Sequence, residues 1–323
     1  MKASIMAKDA RLIERVFTER QLKQISDLLS EDVRVIECDY AEGGDEEFIF
    51  STWGMPKVNL SGYRNLKAVF YAAGSVQTFA REMLENGIRV FSAWHANAVP
   101  VAEMTFAQIL LSMKGYLPVM HACRKDRARS WEIFSNYPGG FRTKVGLLGL
   151  GAIGSRVAEM LKGTDAEVYA FDPFSGPEKA EKLHVRLASM EEIFKSCVVI
   201  SNHIANLPET QGIIKREHLM SMPSYSTFIN TGRGAQLSEQ DLYDALSMDP
   251  TRSALLDVVT DERHFENCVL RSLPNCYFTP HIAGTAGLET ERMGQYMVDS
   301  FSRFLKHEPS PDEVTLTMLE TMA

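Results

Sequence analysis

The chain has 323 residues, of which 45% are hydrophobic and 24% charged, and its formal net charge is −8 at pH 7. This length and composition predict a globular protein of about two domains, and the acidic balance argues against a nucleic-acid-binding surface. No run of about 18 apolar residues occurs and the N-terminus lacks an apolar leader segment, so we expect a cytoplasmic protein that does not enter a membrane.

The cysteines are odd in number, widely spaced and without a Cys-x-x-Cys pair. This spacing predicts neither a disulfide framework nor a metal site, and no metal is expected. We therefore expect reduced thiols, most of them in the core, at Cys38, Cys123, Cys197, Cys268 and Cys276.

The part of the chain up to residue 98 alternates helical and strand-like patterns, which is typical of a parallel sheet. Helical periodicity covers 10–29, and short apolar strands are predicted over 33–36, 68–73 and 90–93. These elements predict an α/β unit that is separate from the rest of the chain.

A long apolar helix is predicted next, over 101–113, and an arm with several aromatic residues follows over 129–142. The helix directly follows the first crossing between the domains, and the arm is too rich in apolar groups to be left in water, so both segments are predicted to form a homodimer interface. The alternative is that the arm folds back on its own subunit.

The segment 144–154 is the most informative one, because an apolar strand runs directly into Gly-x-Gly-x-x-Gly and then into a helical pattern. Gly149 permits a tight turn, Gly151 lets the backbone approach a pyrophosphate, and Gly154 allows close packing of helix and strand. The next strand ends at Asp172, where a carboxylate hydrogen-bonds an adenosine ribose and repels a 2′-phosphate. This context predicts a dinucleotide site that prefers NAD to NADP.

Polar groups follow the ends of the later strands, which is where ligands bind in open α/β sheets. Arg233 lies in a glycine-flanked loop, Asp261 and Glu262 follow the next strand, and His281 follows the one after. Taken singly, these groups have structural explanations, namely a loop salt bridge, a solvated carboxylate and a capped histidine. Together they can supply a hydride-transfer site. The strands are predicted over 198–202, 227–230, 254–258 and 277–279, and a closing helix over 288–307.

Six motifs occur in a fixed order over nearly the whole chain. They are the Gly-x-Gly-x-x-Gly fingerprint and the segments 97–103, 203–210, 230–234, 256–258 and 280–284. With them the chain resembles the NAD-dependent D-2-hydroxyacid dehydrogenase family. The resemblance implies an α/β fold in which a Rossmann-type cofactor domain, 99–287, is inserted in a flavodoxin-like substrate domain, 1–98, completed by 288–323.

The resemblance also implies hydride transfer between NAD(H) and a small 2-hydroxy or 2-keto acid. It implies that Arg233 binds the substrate carboxylate, that His281 is the general acid/base and that Glu262 supports the histidine. Backbone N–H groups of the loop Ala73, Gly74 and Ser75 would also bind the carboxylate. The implied cofactor positions are Thr105, Gly149, Gly151, Ala152, Ile153, Gly154, Asp172, His203, Ile204, Ala205, Pro208, Thr231, Gly232, Arg233, Asp257, His281 and Gly284.

Two departures from the family pattern bear on the acid/base pair. Val259 and Arg263 stand where an aromatic residue and a proline are frequent. Asp261 is the alternative partner of the histidine, but Glu262 keeps the family offset from Asp257 and argues against a formate dehydrogenase, which would have glutamine there. The other alternative is an NAD-sensing corepressor or scaffold of the same fold, in which binding matters more than turnover.

Overall fold

The structure is a computed structural model that describes residues 1–322. The strands are β1 Ala3–Ala7, β2 Arg34–Glu37, β3 Tyr40–Ala41, β4 Phe48–Ser51, β5 Lys57–Val58, β6 Ala68–Tyr71, β7 Arg89–Ser92, β8 Lys144–Leu148, β9 Glu167–Phe171, β10 Arg186–Leu187, β11 Val199–Asn202, β12 Thr227–Asn230, β13 Ser253–Leu256, β14 Cys276–Phe278 and β15 Glu313–Val314. The α-helices are α1 Ala10–Val16, α2 Glu19–Leu29, α3 Ala80–Glu85, α4 Trp94–Met113, α5 Tyr116–Cys123, α6 Arg127–Phe134, α7 Ala152–Leu161, α8 Pro177–Leu183, α9 Met190–Ser196, α10 Arg216–Met220, α11 Glu239–Met248 and α12 Glu289–Leu305. Among residues 1–322, no helix combines the length and hydrophobicity that a membrane crossing requires.

The described chain divides into two compact units. The first unit is formed by Met1–Ala98 together with the segment that begins at Thr285, and the second is the continuous stretch Val99–Gly284. The second unit is therefore inserted, in sequence, between the two parts of the first. Each unit contains its own hydrophobic clusters.

The sheet of the first unit has the strand order β15-β7-β6-β4-β1-β2, and all pairs are parallel except β15 with β7. Counted within the unit, β2-β1-β4-β6-β7 is the flavodoxin-like order 2-1-3-4-5, as predicted. Phenylalanine rings fill one face: Phe70 stacks between Phe50 and Phe91, with ring centroids 5.0 and 4.7 Å apart, and Phe301 of α12 meets Phe50 and Phe70 edge-on at 5.3 Å.

The sheet of the second unit has seven parallel strands in the order β10-β9-β8-β11-β12-β13-β14. Counted within the unit, this is the Rossmann order 3-2-1-4-5-6 with one further strand, so the predicted fold class is confirmed. The strand order reverses at β8, which has β9 on one side and β11 on the other. In such sheets ligands bind at the carboxyl ends of the strands, beside the point of reversal.

The structure differs from the sequence prediction in the N-terminal segment. Strands β1 and β4 were not predicted, because every one of their residues is buried and the sequence lacks the alternation of a half-exposed strand. The helix predicted over 10–29 is two helices, because Thr18 is the N-cap of α2 and its N–H donates to Gln21 Oε1 at 3.0 Å.

The helix predicted over 101–113 begins seven residues earlier, at Trp94, and contains Pro100. Proline removes a helical N–H and disfavours the helix before it, so the sequence pattern alone favoured a start after Pro100. Tertiary burial overrides this preference, because Ala96 and Ala98 are buried. The predicted arm over 129–142 contains the end of α6.

Candidate active site

The Gly-x-Gly-x-x-Gly turn connects β8 to α7, where the strand order reverses. Gly149 has a φ of +94°, and a Cβ there would lie 2.8 Å from the carbonyl oxygen of His203. A Cβ on Gly154 would lie 2.0 Å from the carbonyl oxygen of Gly149. Both positions therefore require glycine, the first for its conformation and the second for close packing of the helix on the turn.

Gly151 differs from these two, because a Cβ there would meet no atom of the described chain within 4 Å. It is the N-cap of α7, and because it has no side chain the start of the helix has no side-chain cap. The N–H groups of the first helical turn, at Ala152, Ile153 and Gly154, have no acceptor within the helix and lie at its positive end. This open cradle fits the pyrophosphate of a dinucleotide.

Asp172 directly follows β9, and its carboxylate lies against the same turn. Its Oδ2 accepts a hydrogen bond from the N–H of Leu150 at 2.7 Å, and its Oδ1 accepts one from the N–H of Phe174 at 2.8 Å. Lys179 Nζ donates to the carbonyl oxygen of Leu150 at 2.6 Å. The predicted ribose-binding carboxylate thus also shapes the phosphate cradle, and the contact of Lys179 had no signal in the sequence.

His203 follows β11 and lies beside the glycine turn. Its Nε2 is 3.0 Å from Ser201 Oγ, and its Nδ1 is buried without a hydrogen-bond partner in residues 1–322. Burial lowers the pKa of His203 to about 4, because a desolvated imidazole disfavours the charged form. The ring is therefore neutral at pH 7. A buried ring nitrogen that lacks a protein partner beside the phosphate cradle is a second feature that fits a bound cofactor.

The next loop contains the predicted cofactor positions Ile204, Ala205 and Pro208. Thr210 Oγ1 donates to the carbonyl oxygen of Ala205 at 2.6 Å and accepts a hydrogen bond from the N–H of Leu207 at 2.9 Å. Pro208 begins a short 3-10 helix that ends at Thr210. The hydroxyl of Thr210 therefore binds the backbone at two points of this loop, Ala205 and Leu207.

The loop after β12 contains Thr231 and Gly232. The hydroxyl oxygens of Thr231 and Thr105 lie 3.0 Å apart, and both residues are buried. The N–H of Gly232 donates to Asn230 Oδ1 at 3.0 Å. These contacts join α4 to the loop and hold the backbone that leads into Arg233.

Arg233 forms no ion pair with a carboxylate of residues 1–322, and its Nη1 donates to the carbonyl oxygen of Gly232 at 2.8 Å. Gly234 packs so closely that a Cβ would lie 2.4 Å from the backbone nitrogen of Thr260. The arginine loop therefore lies against the backbone that leads to Glu262.

His281 and Glu262 form a hydrogen-bonded pair with 2.9 Å between Nδ1 and Oε2. The two side chains are 44% and 43% exposed, so the pair is accessible to a ligand. His281 has a φ of +56°, and its N–H donates to the carbonyl oxygens of Asp257 and Thr279, each at 3.0 Å. With Nδ1 engaged by the carboxylate, Nε2 is the nitrogen that can serve a substrate.

Asp261, the alternative partner, has other contacts. Its Oδ1 accepts hydrogen bonds from the N–H groups of Arg263 and His264, at 3.1 and 3.2 Å, and its Oδ2 lies 2.8 Å from His264 Nδ1. The hydrogen bond with His264 lowers the pKa of Asp261 below its usual value. The structure thus brings Glu262 to His281 and leaves Asp261 with His264.

The loop between Val259 and Arg263 is fixed without the aromatic residue and the proline that the family often has there. Val259 is buried in the hydrophobic core of its unit. The N–H of Thr260 donates to Glu239 Oε1 at 2.7 Å, and Arg263 closes the turn at Asp261 through its own N–H. Both ends of the loop are therefore held.

Asp257 is 2% exposed, and its carboxylate accepts hydrogen bonds from the turn that contains His281. Its Oδ1 accepts from the N–H of Ile282 at 2.8 Å and from Thr279 Oγ1 at 2.6 Å, and its Oδ2 accepts from the N–H of Ala283 at 2.9 Å. The resemblance placed Asp257 with the cofactor. The sequence did not reveal its role as an anchor of the histidine turn, which ends at Gly284.

The predicted substrate loop Ala73, Gly74 and Ser75 follows β6 in the first unit. Ser92 Oγ lies 2.8 Å from the carbonyl oxygen of Ala73 and 2.7 Å from that of Gly74. A Cβ on Gly74 would lie 3.3 Å from Asn97 Nδ2, and Ser75 is exposed. The loop is therefore held at its base by a buried serine while its tip reaches the surface.

A buried cluster of three amide side chains lies among the loops of the second unit. Asn202 ends β11, Asn230 ends β12, and Gln236 follows Arg233 by three residues; they are 0%, 1% and 0% exposed. Sequence reasoning missed the cluster. Its one available signal was that buried strands end in amides instead of apolar residues.

The fold and the site define a dinucleotide-binding α/β protein with an accessible histidine–carboxylate pair, an arrangement suited to acid/base chemistry. Among residues 1–322 no group of three or more His, Cys, Asp or Glu side chains is placed to hold a metal ion.

Comparison with known proteins agrees with this class. Residues 107–283 match the family model described as D-isomer specific 2-hydroxyacid dehydrogenase, NAD binding domain. The D-3-phosphoglycerate dehydrogenase of Archaeoglobus fulgidus is 28% identical over 259 residues, which are 80% of this chain and 49% of the relative. The hydroxypyruvate reductase of Blautia hydrogenotrophica is 31% identical over 165 residues, 51% of each chain.

Among solved structures, the NAD-complexed D-isomer specific 2-hydroxyacid dehydrogenase from Lactobacillus delbrueckii ssp. bulgaricus superposes with a TM-score of 0.77. It is 19% identical, and the match covers 98% of this chain and 100% of the other, which shows a shared fold. The protein belongs to the D-isomer specific 2-hydroxyacid dehydrogenase family and has the NAD binding domain of that family. The chain spans about half the length of the curated relatives it matches.

Proposed function

We propose that the protein is an NAD-dependent dehydrogenase that interconverts a small 2-hydroxy acid and its 2-keto acid. The observation that supports this most directly is the His281–Glu262 pair, 2.9 Å apart. The pair lies in the same compact unit as the phosphate cradle at Gly151. A carbonyl that gains hydride at carbon must gain a proton at oxygen, and a histidine with a carboxylate partner is suited to donate it.

NADH, when bound, supplies the hydride. In the reducing direction, His281 Nε2 donates a proton to the carbonyl oxygen of the keto acid. Glu262 orients the ring through Nδ1 and stabilises the imidazolium by its opposite charge. Arg233 binds the substrate carboxylate through two parallel hydrogen bonds and thereby places the carbonyl beside the histidine. In the oxidising direction, His281 accepts the proton from the hydroxyl.

We assign NAD binding to the second unit, which also contains Arg233 and His281, and we keep the first unit as the predicted substrate domain. Ala73, Gly74 and Ser75 stay a prediction for the substrate carboxylate. The residues proposed to hold the cofactor are Thr105, Gly149, Gly151, Ala152, Ile153, Gly154, Asp172, His203, Ile204, Ala205, Pro208, Thr231, Gly232, Arg233, Asp257, His281 and Gly284. Because a 2′-phosphate would be repelled by Asp172, we expect NADH to be preferred over NADPH by at least about tenfold, or about 1.4 kcal/mol.

We also propose that the protein is a homodimer. Large exposed apolar side chains concentrate between the end of α4 and the start of β8, and they are Leu111, Tyr116, Met120, Trp131 and Phe141. Trp131 and Phe141 are 61% and 70% exposed, and apolar groups grouped in this way are typical of an interface. Part of the arm does fold back on its own chain, since Tyr137 packs edge-on against Tyr225 with ring centroids 5.5 Å apart.

A cytoplasmic location is part of the same proposal. The five cysteines are unpaired, and three of them, Cys197, Cys268 and Cys276, are buried. Burial raises the pKa of Cys197 and Cys268 to about 11, so these thiols stay protonated and unreactive. Unpaired thiols are typical of a reducing compartment.

The proposal is tested by incubating the purified protein with NADH or NADPH and a panel of 2-keto acids that includes hydroxypyruvate, 3-phosphohydroxypyruvate, pyruvate and glyoxylate. We expect oxidation of NADH with at least one of them. His281→Ala should lower turnover by roughly 10² to 10⁴ while the dissociation constant for NADH changes little. A protein that binds NADH but turns over no 2-keto acid would instead support the NAD-sensing corepressor or scaffold.

A further inference from the structure

The buried amide cluster begins with two neighbouring parallel strands that end side by side. Asn202 and Asn230 are partners in the register of β11 and β12. Asn202 Nδ2 donates to Asn230 Oδ1 at 3.0 Å, and Asn202 Oδ1 accepts a hydrogen bond from the N–H of Ile204 at 3.2 Å. Asn230 Nδ2 donates to the carbonyl oxygen of Arg233 at 3.0 Å. Each asparagine therefore holds the loop that follows its own strand.

Gln236 joins the two loops to each other. Its Oε1 accepts hydrogen bonds from Asn202 Nδ2 at 2.7 Å and from the N–H of Arg233 at 3.2 Å. Its Nε2 donates to the carbonyl oxygen of Ile204 at 2.9 Å. One fully buried side chain thus binds the backbone of the substrate arginine through its oxygen and the backbone of the cofactor loop through its nitrogen.

This arrangement makes the positions of the two loops depend on each other. A buried amide that loses a hydrogen bond cannot replace it with water, so each of these contacts is costly to break. If the loop at Ile204 moved alone, Gln236 would lose a contact either with it or with Arg233. The low-energy arrangement is the one in which both loops are in place together.

We propose that Gln236 is a positioning residue that couples the cofactor site to the substrate site, so that bound NADH strengthens the binding of a 2-keto acid carboxylate at Arg233. The inference rests on the proposed function. Because coupling free energies are reciprocal, the keto acid strengthens the binding of NADH by the same factor.

The coupling is measured with oxamate, a non-reducible analogue of a 2-keto acid. The dissociation constants of oxamate with and without saturating NADH are determined by calorimetry, and their ratio is the coupling factor. We expect a ratio of at least about 5 in the parent protein, within the usual range for coupled sites. In Gln236→Met, which keeps the volume but not the hydrogen bonds, the ratio should fall below about 2, while the dissociation constant for NADH alone changes by less than about threefold.

Gln236→Glu provides a second variant that is closer to the parent. It keeps an acceptor for the N–H of Arg233 but places an oxygen where Nε2 donates to Ile204, so we expect the coupling to be lost here too. Asn275→Leu is the matched control. Asn275, which directly precedes β14, is also a buried amide. Its Nδ2 donates to the carbonyl oxygens of Leu246 and Arg252. This control should lower the melting temperature but leave the parent ratio unchanged.

The outcomes separate the two proposals. A parent protein that binds NADH without tightening oxamate, or glutamine variants that are folded and keep the parent ratio, would overturn the role of Gln236 and leave the proposed function standing. A parent protein that does not bind NADH would overturn both. A fall of the ratio in Asn275→Leu equal to that in Gln236→Met would show a general loss of stability and would also overturn the inference.

Discussion

The imidazole of His281 is held from two directions. Glu262 contacts Nδ1, and the backbone turn around the histidine is anchored on the buried carboxylate of Asp257. The left-handed φ of His281 is maintained by this anchoring, because a non-glycine residue rarely adopts that conformation unless its surroundings require it. Asp257 thus holds the position of the ring, whereas Glu262 sets its orientation and stabilises its charge, and the effects of the two residues can be separated by substitution.

Glu262→Gln should shift the pH profile of keto-acid reduction toward lower pH, because the imidazolium loses its adjacent negative charge. We expect turnover at pH 7 to fall by about tenfold or more, with little change in the dissociation constant for NADH. Asp261→Asn is the matched control, since that carboxylate contacts His264, and its profile should overlay that of the parent. If the two variants exchanged these behaviours, Asp261 would be the functional partner.

His203→Gln should reduce the pH dependence of stability. Burial lowers the pKa of His203 from 6.5 to about 4, so between these values the unfolded chain binds a proton that the folded protein does not. The contribution of neutral His203 is therefore complete above about pH 6.5 and is lost as the pH falls toward 4, by an amount on the order of 1 to 3 kcal/mol.

Urea unfolding of the parent and of His203→Gln at a series of pH values tests this sign. The free energy of unfolding of the parent should fall more steeply between pH 6.5 and 4 than that of the variant. His121→Gln, at an exposed histidine of α5, should keep the slope of the parent. Equal slopes in parent and His203→Gln would show that His203 binds its proton equally in the folded and unfolded states, and would contradict a lowered pKa.

At the scale of elements, the site is assembled where loops after neighbouring parallel strands meet. Gly234, in the loop after β12, packs against the backbone after β13 so closely that a Cβ would lie 2.2 Å from the carbonyl carbon of Val259. The arginine loop and the loop that leads to Glu262 are therefore in direct backbone contact. A methyl group added at Gly234 must therefore displace one of these two loops.

Gly234→Ala should therefore lower kcat/KM for the keto acid by about tenfold or more, because a displacement of about 1 Å at a catalytic group has effects of this size. The free energy of unfolding should also fall, by about 1 to 3 kcal/mol. Gly163→Ala is the control, since its Cβ would have an ordinary contact at 3.7 Å. Parent-like kinetics in folded Gly234→Ala would show that activity does not depend on the close contact between the arginine loop and the loop that leads to Glu262.

At the scale of the whole molecule, the exposed apolar residues of the arm determine the expected assembly. Light scattering at micromolar concentration should give the mass of a dimer for the parent, because grouped apolar side chains of this size favour association. Trp131→Glu should shift the mass toward the monomer. Met248→Glu replaces an exposed apolar residue of α11 outside the arm and should remain dimeric. A parent protein that is monomeric and fully active would contradict the interface.

The sequence alone determined those features that are encoded in contiguous patterns. The glycine turn between β8 and α7 and the place of Asp172 directly after β9 could be predicted because each depends on residues close to it in the sequence. The family and the fold class followed from the resemblance and are confirmed. The group of Arg233, Glu262 and His281 was predicted from the same motifs, and its role stays a prediction that the substitutions above test.

Only the tertiary structure decided the features that depend on contacts between distant segments. Gln236 contacts Ile204, which is 32 positions away in the sequence, and Asp257 contacts Ala283, which is 26 positions away. The sequence favoured Glu262 over Asp261 only by its offset from Asp257, whereas the fold shows the contacts themselves, Glu262 with His281 and Asp261 with His264. Strands β1 and β4, buried on both faces, carry no periodic signal. Hydrogen-bond geometry and burial are properties of the packed chain, and no local pattern in the sequence encodes them.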